Sequence, residues 1–309
     1  MPWIPLLLAL AAIAALVFAL DFLAPEWMAR RWLALERRRA GLRVGRVHIP
    51  GFSMPYLDGG IGEPLVLIHG FGADKDNFTR VAGILTHRFR VIAPDLPGFG
   101  EASRDGAANY HIDAQVERLR AFIDQLGLGA VHLGGSSMGG FIAAQYAATY
   151  PAAVRSLWLL DAAGATLARD TELIQRYIET GEMPLLVRRE ADYRALLRAV
   201  TYRMPLLPHS LHRALARRAV ADFTLHSRIF REIGVESPAL DQRYPAIRAP
   251  TLIVWGREDR ILNPAAGEAM HQAIPKSRLV LMDGTGHLPM IEHPRATAAD
   301  FLAFSAAPP

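Results

Sequence analysis

Ala130-Val131-His132-Leu133-Gly134-Gly135-Ser136-Ser137-Met138-Gly139-Gly140, continuing as FIAAQYAATY over 141–150 and closed by Pro151, is the stretch on which the fold turns. Ala130 to Gly134 reads as a short buried strand and Phe141 to Tyr150 as a helix. Between them Gly135-Ser136-Ser137-Met138-Gly139 fits G-x-S-x-G in the strand–turn–helix setting that lifts a serine hydroxyl clear of a sheet. The glycines are needed because flanking side chains would collide in so tight a turn. Ser137 is therefore the candidate nucleophile, and Ser136, one position off the apex, is assigned no chemistry.

The same alternation of apolar runs and amphipathic stretches extends to both sides. Gly62 to Ile68 reads as a buried strand ending in His69-Gly70-Phe71-Gly72, and Phe89 to Pro94 as another ending in Asp95-Leu96-Pro97-Gly98-Phe99-Gly100. Ile112 to Leu126 is amphipathic and helical. Further strands are predicted at Ser156 to Leu160, Thr251 to Trp255 and Arg278 to Met282, each followed by helical sequence. This pattern means an α/β fold, a mostly parallel sheet covered on both faces, with right-handed crossovers that bring the loops after the strands to one rim. Residues 165–245 have helical periodicity and no convincing strand, and are too long for a simple connection. They read as a helical cap, with the core formed by 47–164 and 246–309.

A serine hydroxyl needs a base, and the base needs an orienting carboxylate. His287, in the loop after the last predicted strand, is the candidate base. His69 and His132 sit against strands, and His293 lies in a Glu-His-Pro turn. Asp259, in the loop after Thr251 to Trp255, is the preferred carboxylate, with Asp161 at another rim position and Glu258 as alternatives. Asp95 and Asp283 read as turn residues bonded to backbone. The developing oxyanion needs donors: Met138 N–H at the start of the helix after the turn, and Phe71 N–H from the loop after the early strand. His69 reads as structural, holding that loop.

Ile4 to Leu23 is an almost unbroken apolar run, interrupted only by Pro5 and Asp21. At 1.5 Å per residue, roughly 20 residues reach about 30 Å, the thickness of a hydrocarbon layer. A transmembrane helix is expected over 1–24 and a basic juxtamembrane helix over 25–46, with Trp27, Trp32 and the arginines suited to the headgroup layer. A cleaved signal peptide would carry a basic n-region, yet Met1-Pro2-Trp3 has no basic side chain and Pro25 follows Ala24 awkwardly. Ala11, Ala15 and Ala19 recur at a spacing that lets two such helices approach closely, which motivates a homodimer.

The formal net charge of +4 is already reached within residues 1–50, which hold seven Arg against Asp21, Glu26 and Glu36. The rest of the chain is balanced, so a nucleic-acid partner is not expected. With no cysteine, thiol nucleophiles, thiolate metal sites and disulfides are excluded. No cofactor or metal is expected.

HGFG, DLPGFG, GSSMGG, WGREDRIL and GTGHLPMIEHP occur in the order and spacing of the α/β-hydrolases and cover nearly all of residues 55–305. The chain most resembles the monoacylglycerol-lipase-like branch and, with its N-terminal helix, the bacterial membrane-bound phospholipases A of the PlaF type. That resemblance implies a triad at the positions of Ser137, Asp259 and His287. It also implies phospholipid, lysophospholipid or monoacylglycerol substrates, a fatty acid product, a cap forming an acyl tunnel and dimers through the anchor helices. The same fold also serves carbon–carbon bond hydrolases with a serine elbow, which are soluble, and non-catalytic ligand receptors, which would have lost a triad member. The positive-inside rule puts the body of the chain in the cytoplasm. The resemblance instead implies a bacterial inner membrane, crossed once, with the catalytic domain in the periplasm, and that placement is the expectation taken here.

Overall fold

The computed structural model describes residues 3–306. Met1, Pro2 and 307–309, which belong to the expected first helix and the expected core, lie outside the described residues. The chain starts with α1 (Ile4–Leu23) and α2 (Pro25–Arg39), the break between them falling at Ala24 with Pro25 opening the second helix. α1 is long and apolar enough to cross a membrane, its best 18-residue window having a mean hydropathy of 2.7. It is not a core helix, because side chains such as Phe18, 67% exposed, face away from the protein.

In the segment 25–46, expected as a basic juxtamembrane helix with its helical periodicity over Glu26 to Ala40 and Gly41 placed to end it, the helix stops at Arg39, Gly41 turns the chain at φ 70°, and residues 42–46 belong to a strand. β1 (Leu42–Ile49) and β2 (Phe52–Gly59) form an antiparallel hairpin that periodicity did not single out. Arg43 and Arg46 point outward from it while Leu42, Val47 and Ile49 are buried. A half-buried edge strand carrying arginines is easily read as the continuation of a basic helix.

The remaining elements alternate as the sequence predicts. β3 (Glu63–Ile68), α3 (Thr79–Leu85), β4 (Phe89–Pro94), α4 (Ile112–Gln125), β5 (Val131–Ser136), α5 (Met138–Thr149) and β6 (Val154–Leu160) lead to a helical excursion of α6 (Glu172–Thr180), α7 (Tyr193–Val200), α8 (His209–Ala221) and α9 (Phe223–Phe230). β7 (Thr251–Gly256), α10 (Ala265–Ala273), β8 (Ser277–Met282), α11 (Pro289–Glu292) and α12 (Pro294–Ala306) complete the order. The eight strands form one sheet, β1-β2-β4-β3-β5-β6-β7-β8, parallel from β4 onward. Strand order reverses between β3 and β5, so the loops after them diverge to open a crevice at their carboxyl ends.

The central strands are apolar along most of their length because helices cover both faces. One face packs Val66, Ile68 and Leu133 against α4 and α5, including Phe122 and Phe141. The other packs Leu65, Leu67 and Trp158 against α3 and α12, with Trp158 stacked on Phe301 at 4.5 Å.

Asp21, the acid that interrupts the apolar run, has a definite role. Its carboxylate accepts from the N–H of His209 at 2.9 Å and of Ser210 at 3.3 Å, and from the Ser210 hydroxyl. It thus caps α8, whose first amides have no partner of their own. Phe22 stacks on His209 at 4.3 Å, and Arg217 of α8 pairs with Glu26 of α2 at 3.0 Å. The N-terminal arm is therefore docked along α8.

Candidate active site

Ser137 sits between β5 and α5 at φ 53° and ψ −118°, a conformation that L residues rarely adopt and that stores of order 1–3 kcal/mol. The surroundings hold it there. Its N–H donates to Leu160 O and its carbonyl accepts from Phe141 N–H and Ala163 N–H, each at 3.0 Å. The flanking glycines are sterically required: a Cβ on Gly135 would lie 2.1 Å from Gly139 O, and one on Gly139 would lie 2.1 Å from Ile68 O.

The loop after β3 passes directly beside the serine, since a Cβ on Gly70 would come within 3.3 Å of Ser137 Cβ. Phe71, the next residue of that loop, and Met138 line the smaller cavity together with Ser137. Among the described residues neither donates to a backbone acceptor. Free N–H groups there are suited to an oxyanion. His69 fixes the loop, donating from Nδ1 to Gly70 O at 2.8 Å and accepting from Leu96 N–H on Nε2 at 3.0 Å. Burial pushes its pKa down and keeps the ring neutral, as those two roles require.

His287 and Asp259 are brought together. His287 is 3% exposed, and its Nδ1 lies 2.8 Å from Asp259 Oδ2. A carboxylate only accepts, so Nδ1 carries the hydrogen and Nε2 keeps the lone pair. Asp259 Oδ1 takes the N–H of Ile261 at 2.8 Å and of Leu262 at 3.1 Å, which fixes the carboxylate. Ser137 and His287 line the same cavity, although among the described residues no hydrogen bond joins their side chains. Of the two alternatives for the acid, Glu258 instead accepts Thr285 N–H at 2.9 Å, and Asp161 lies buried behind Asp259.

Several supporting residues escaped the sequence reading. Glu292 receives Gly286 N–H at 2.9 Å on one oxygen and Tyr202 N–H at 2.8 Å on the other, tying the histidine loop to the end of α7. Asp95 does more than stabilise a turn: it bonds Lys75 N–H at 2.7 Å, Lys75 Nζ at 2.8 Å and Glu101 N–H at 2.8 Å. Asp283 pairs with the Arg257 side chain at 2.7 Å. Arg37 of α2 turns inward and grips Asp76 through two bonds of 2.6 and 2.5 Å, while Arg218 of α8 holds Asp74 at 2.6 Å. Burial opposes ionisation of Asp74, but Arg218 and Lys75 overcome it and hold the carboxyl below its usual range. His132 bonds Ser156 at 2.7 Å and His293 bonds Gly284 O at 3.2 Å, both away from the serine.

Two cavities meet at Ser137. The larger, about 220 Å³, is bounded by Leu196, Leu197, Leu211 and Leu215 of the helical excursion and reaches Leu33 of α2. The smaller, about 60 Å³, is lined by Met138, Phe141, Ile174, Phe230 and Leu262. Both walls are mostly apolar.

The model of the α/β hydrolase fold family matches residues 63–294. The chain is similar over 96% of its length to Lipase 3 of Moraxella sp. (strain TA144), at 35% identity and 96% of that protein. It is 30% identical to human monoacylglycerol lipase ABHD6, over 94% of this chain and 92% of the relative. The crystal structure of a bacterial membrane phospholipase A superimposes with a TM-score of 0.89 at 40% identity, covering 97% of both chains.

The Lys75–Asp95 pair gives a stability test. Lys75 is 1% exposed, and although burial lowers its pKa, the Asp95 charge and hydrogen bond raise it above the ordinary value of 10.5. A raised pKa means that the pair contributes fully below about pH 10.5 and is lost as pH rises through the folded value. Lys75→Met leaves a buried carboxylate unpaired and is expected to lose about 3–5 kcal/mol in urea unfolding at neutral pH, with much of this recovered in Lys75→Met/Asp95→Asn. Equal losses in the two variants would refute the pairing.

Proposed function

The chain belongs to the α/β hydrolase fold family, and from that premise we infer that it is a membrane-anchored serine hydrolase of lipid esters, of phospholipase, lysophospholipase or monoacylglycerol lipase type. The observation that carries this reading is the strained Ser137 at the junction of two apolar cavities, sharing the larger with a His287 already paired to Asp259. Apolar walls suit acyl chains. The likeness to lipases and to a membrane phospholipase points the same way.

In the proposed mechanism His287 Nε2 takes the Ser137 hydroxyl proton as Oγ attacks the ester carbonyl. Asp259 orients the ring and stabilises the imidazolium. Phe71 N–H and Met138 N–H bind the tetrahedral oxyanion. His287 then returns the proton to the departing alcohol, leaving an acyl group on Ser137. Water, activated by the same histidine, releases the fatty acid.

Residues 165–245 act as the lid over this site, and α1 is the anchor. Met204 and Leu206, the latter 98% exposed, lie in the loop that leads to the Asp21 clamp on α8. Pro205 and Leu207 of that loop line the larger cavity. A bilayer around α1 would cover these side chains and meet the cavity there. The reading places the anchor in a bacterial inner membrane with the hydrolase domain on the periplasmic side. Ala11, Ala15 and Ala19 form the face on which a second α1 packs.

Hydrolysis of p-nitrophenyl esters should fall roughly 10⁶-fold in Ser137→Ala. Retained turnover would eliminate Ser137 as nucleophile. Leu206→Asp should lower hydrolysis of phospholipid in vesicles about tenfold, the effect of withdrawing one large apolar side chain from lipid, while short soluble esters are cleaved as before. An equal loss on both substrates would assign Leu206 to structure instead. Crosslinking should yield dimers of the intact protein and few once 1–24 is removed, and equal yields would exclude α1 as the dimer contact.

A further inference from the structure

Among the described residues two that are not glycine have positive φ, Ser137 at 53° and Asp161 at 42°. The turn explains the first. Asp161 follows β6 and is wholly buried; its N–H donates to Val254 O at 3.0 Å and its Oδ1 accepts from Gly256 N–H at 2.9 Å. Its Oδ2 is buried and has no hydrogen-bond partner. The carboxyl lies against Asp259 and His287, each of the three offering an atom within 4.8 Å of the others.

An ionised carboxylate with a single donor in such a place is costly, and two adjacent carboxylates do not both ionise. Asp259 is the one equipped for charge, with two backbone N–H groups and the imidazole N–H directed at it. A carboxylate has about four acceptor sites. Three of those on Asp259 are filled, and the oxygen without a partner is on its neighbour. The groups facing Asp161 are Asp259 from the loop after β7, His287 from the loop after β8 and, further off, Glu292 of α11.

Building on the triad reading above, we propose that Asp161 is a positioning residue that stays protonated and donates its Oδ2 hydroxyl to the Asp259 carboxylate. The donated bond fills the fourth acceptor site, fixes the rotation of Asp259 and moderates its pull on the His287 N–H. Burial, and then the Asp259 charge, drive the Asp161 carboxyl well above the usual carboxylate range, in agreement with this state. The proton stays on Asp161 throughout the reaction.

Asp161→Asn keeps a neutral donor and tolerates positive φ, so the acid limb of kcat/KM against pH on a soluble ester should not move. Asp161→Ala removes the donor; the limb should rise and kcat fall about tenfold or more, as for loss of one hydrogen bond to a charged group. Were Asp161 ionised, Asn would remove a negative charge near His287 and lower the limb by roughly a unit or more, which would overturn the proposal. Infrared difference spectra of wild type against Asp161→Asn at neutral pH should contain a protonated-carboxyl band, and its absence would equally overturn it. The spectrum is independent of turnover and is taken also on a Ser137→Ala background, so it decides even if the alanine variant fails to fold or the esterase reading fails. Activity unchanged by chelator is expected; inhibition by chelator would put a cation among the three groups and overturn the shared proton.

Discussion

Three segments of main chain touch at Ser137 with no side chain between them, and the site depends on that contact. Gly139 lies against the carbonyl of Ile68 at the end of β3, Gly135 against the first turn of α5, and Gly70 against the serine itself. A Cβ at Gly135 would push α5 off β5, and one at Gly139 would push α5 off the end of β3. This closeness lets Ser137, Phe71 and Met138, which come from two loops, line one cavity. The strain at φ 53° is held by bonds to Leu160 and Ala163, so the buried strand β5, the buried end of β6 and the turn after it supply the rigidity that the serine turn requires.

Around this contact lies an ionic framework centred on three consecutive residues, Asp74, Lys75 and Asp76. Lys75 fastens the loop downward to Asp95, Asp76 takes Arg37 from α2, and Asp74 takes Arg218 from α8. Removing a single partner of such pairs is severe, because it leaves an uncompensated charge in a largely buried place. The loop after β3 is thus anchored at once to the sheet, to the N-terminal arm and to the helices above the site.

What the sequence made legible follows from where chemistry restricts residue type. The serine turn requires glycine at two positions, and the loops after β7 and β8 carry an acid and a histidine that the fold brings within 2.8 Å of each other, so this pairing could be anticipated in one dimension. The hairpin β1–β2 could not, because Arg43 and Arg46 alternate with apolar residues in a way that also suits the end of a basic helix. Nor could the pairings of Arg37, Arg218 and Asp21, whose partners lie 39, 144 and 188 residues away and share no local pattern. Asp161 is the intermediate case: its rim position was legible as that of an acid, but its neighbour Asp259, which changes its protonation, appears only after β6 and β7 pair.

The same long-range pairs set a gradient of stability across the helices above the site. α8 is held at its N-terminus by Asp21 and near its C-terminus by Glu26 and Asp74, through the consecutive Arg217 and Arg218, so its position is fixed relative to both the arm and the loop after β3. α6 has no buried residue, and among the described residues its one ion pair, Arg176 with Glu182, is local. Its main aromatic contact is Tyr177 against Phe230. Segments with few buried contacts open at the lowest free energy. Ile174 of α6 lines the smaller cavity at Ser137, and Leu185 just beyond α6 lines both. The cavities therefore have one wall, at α8, fixed by long-range pairs to the N-terminal arm and to the loop after β3, and another, at α6, that few buried contacts hold.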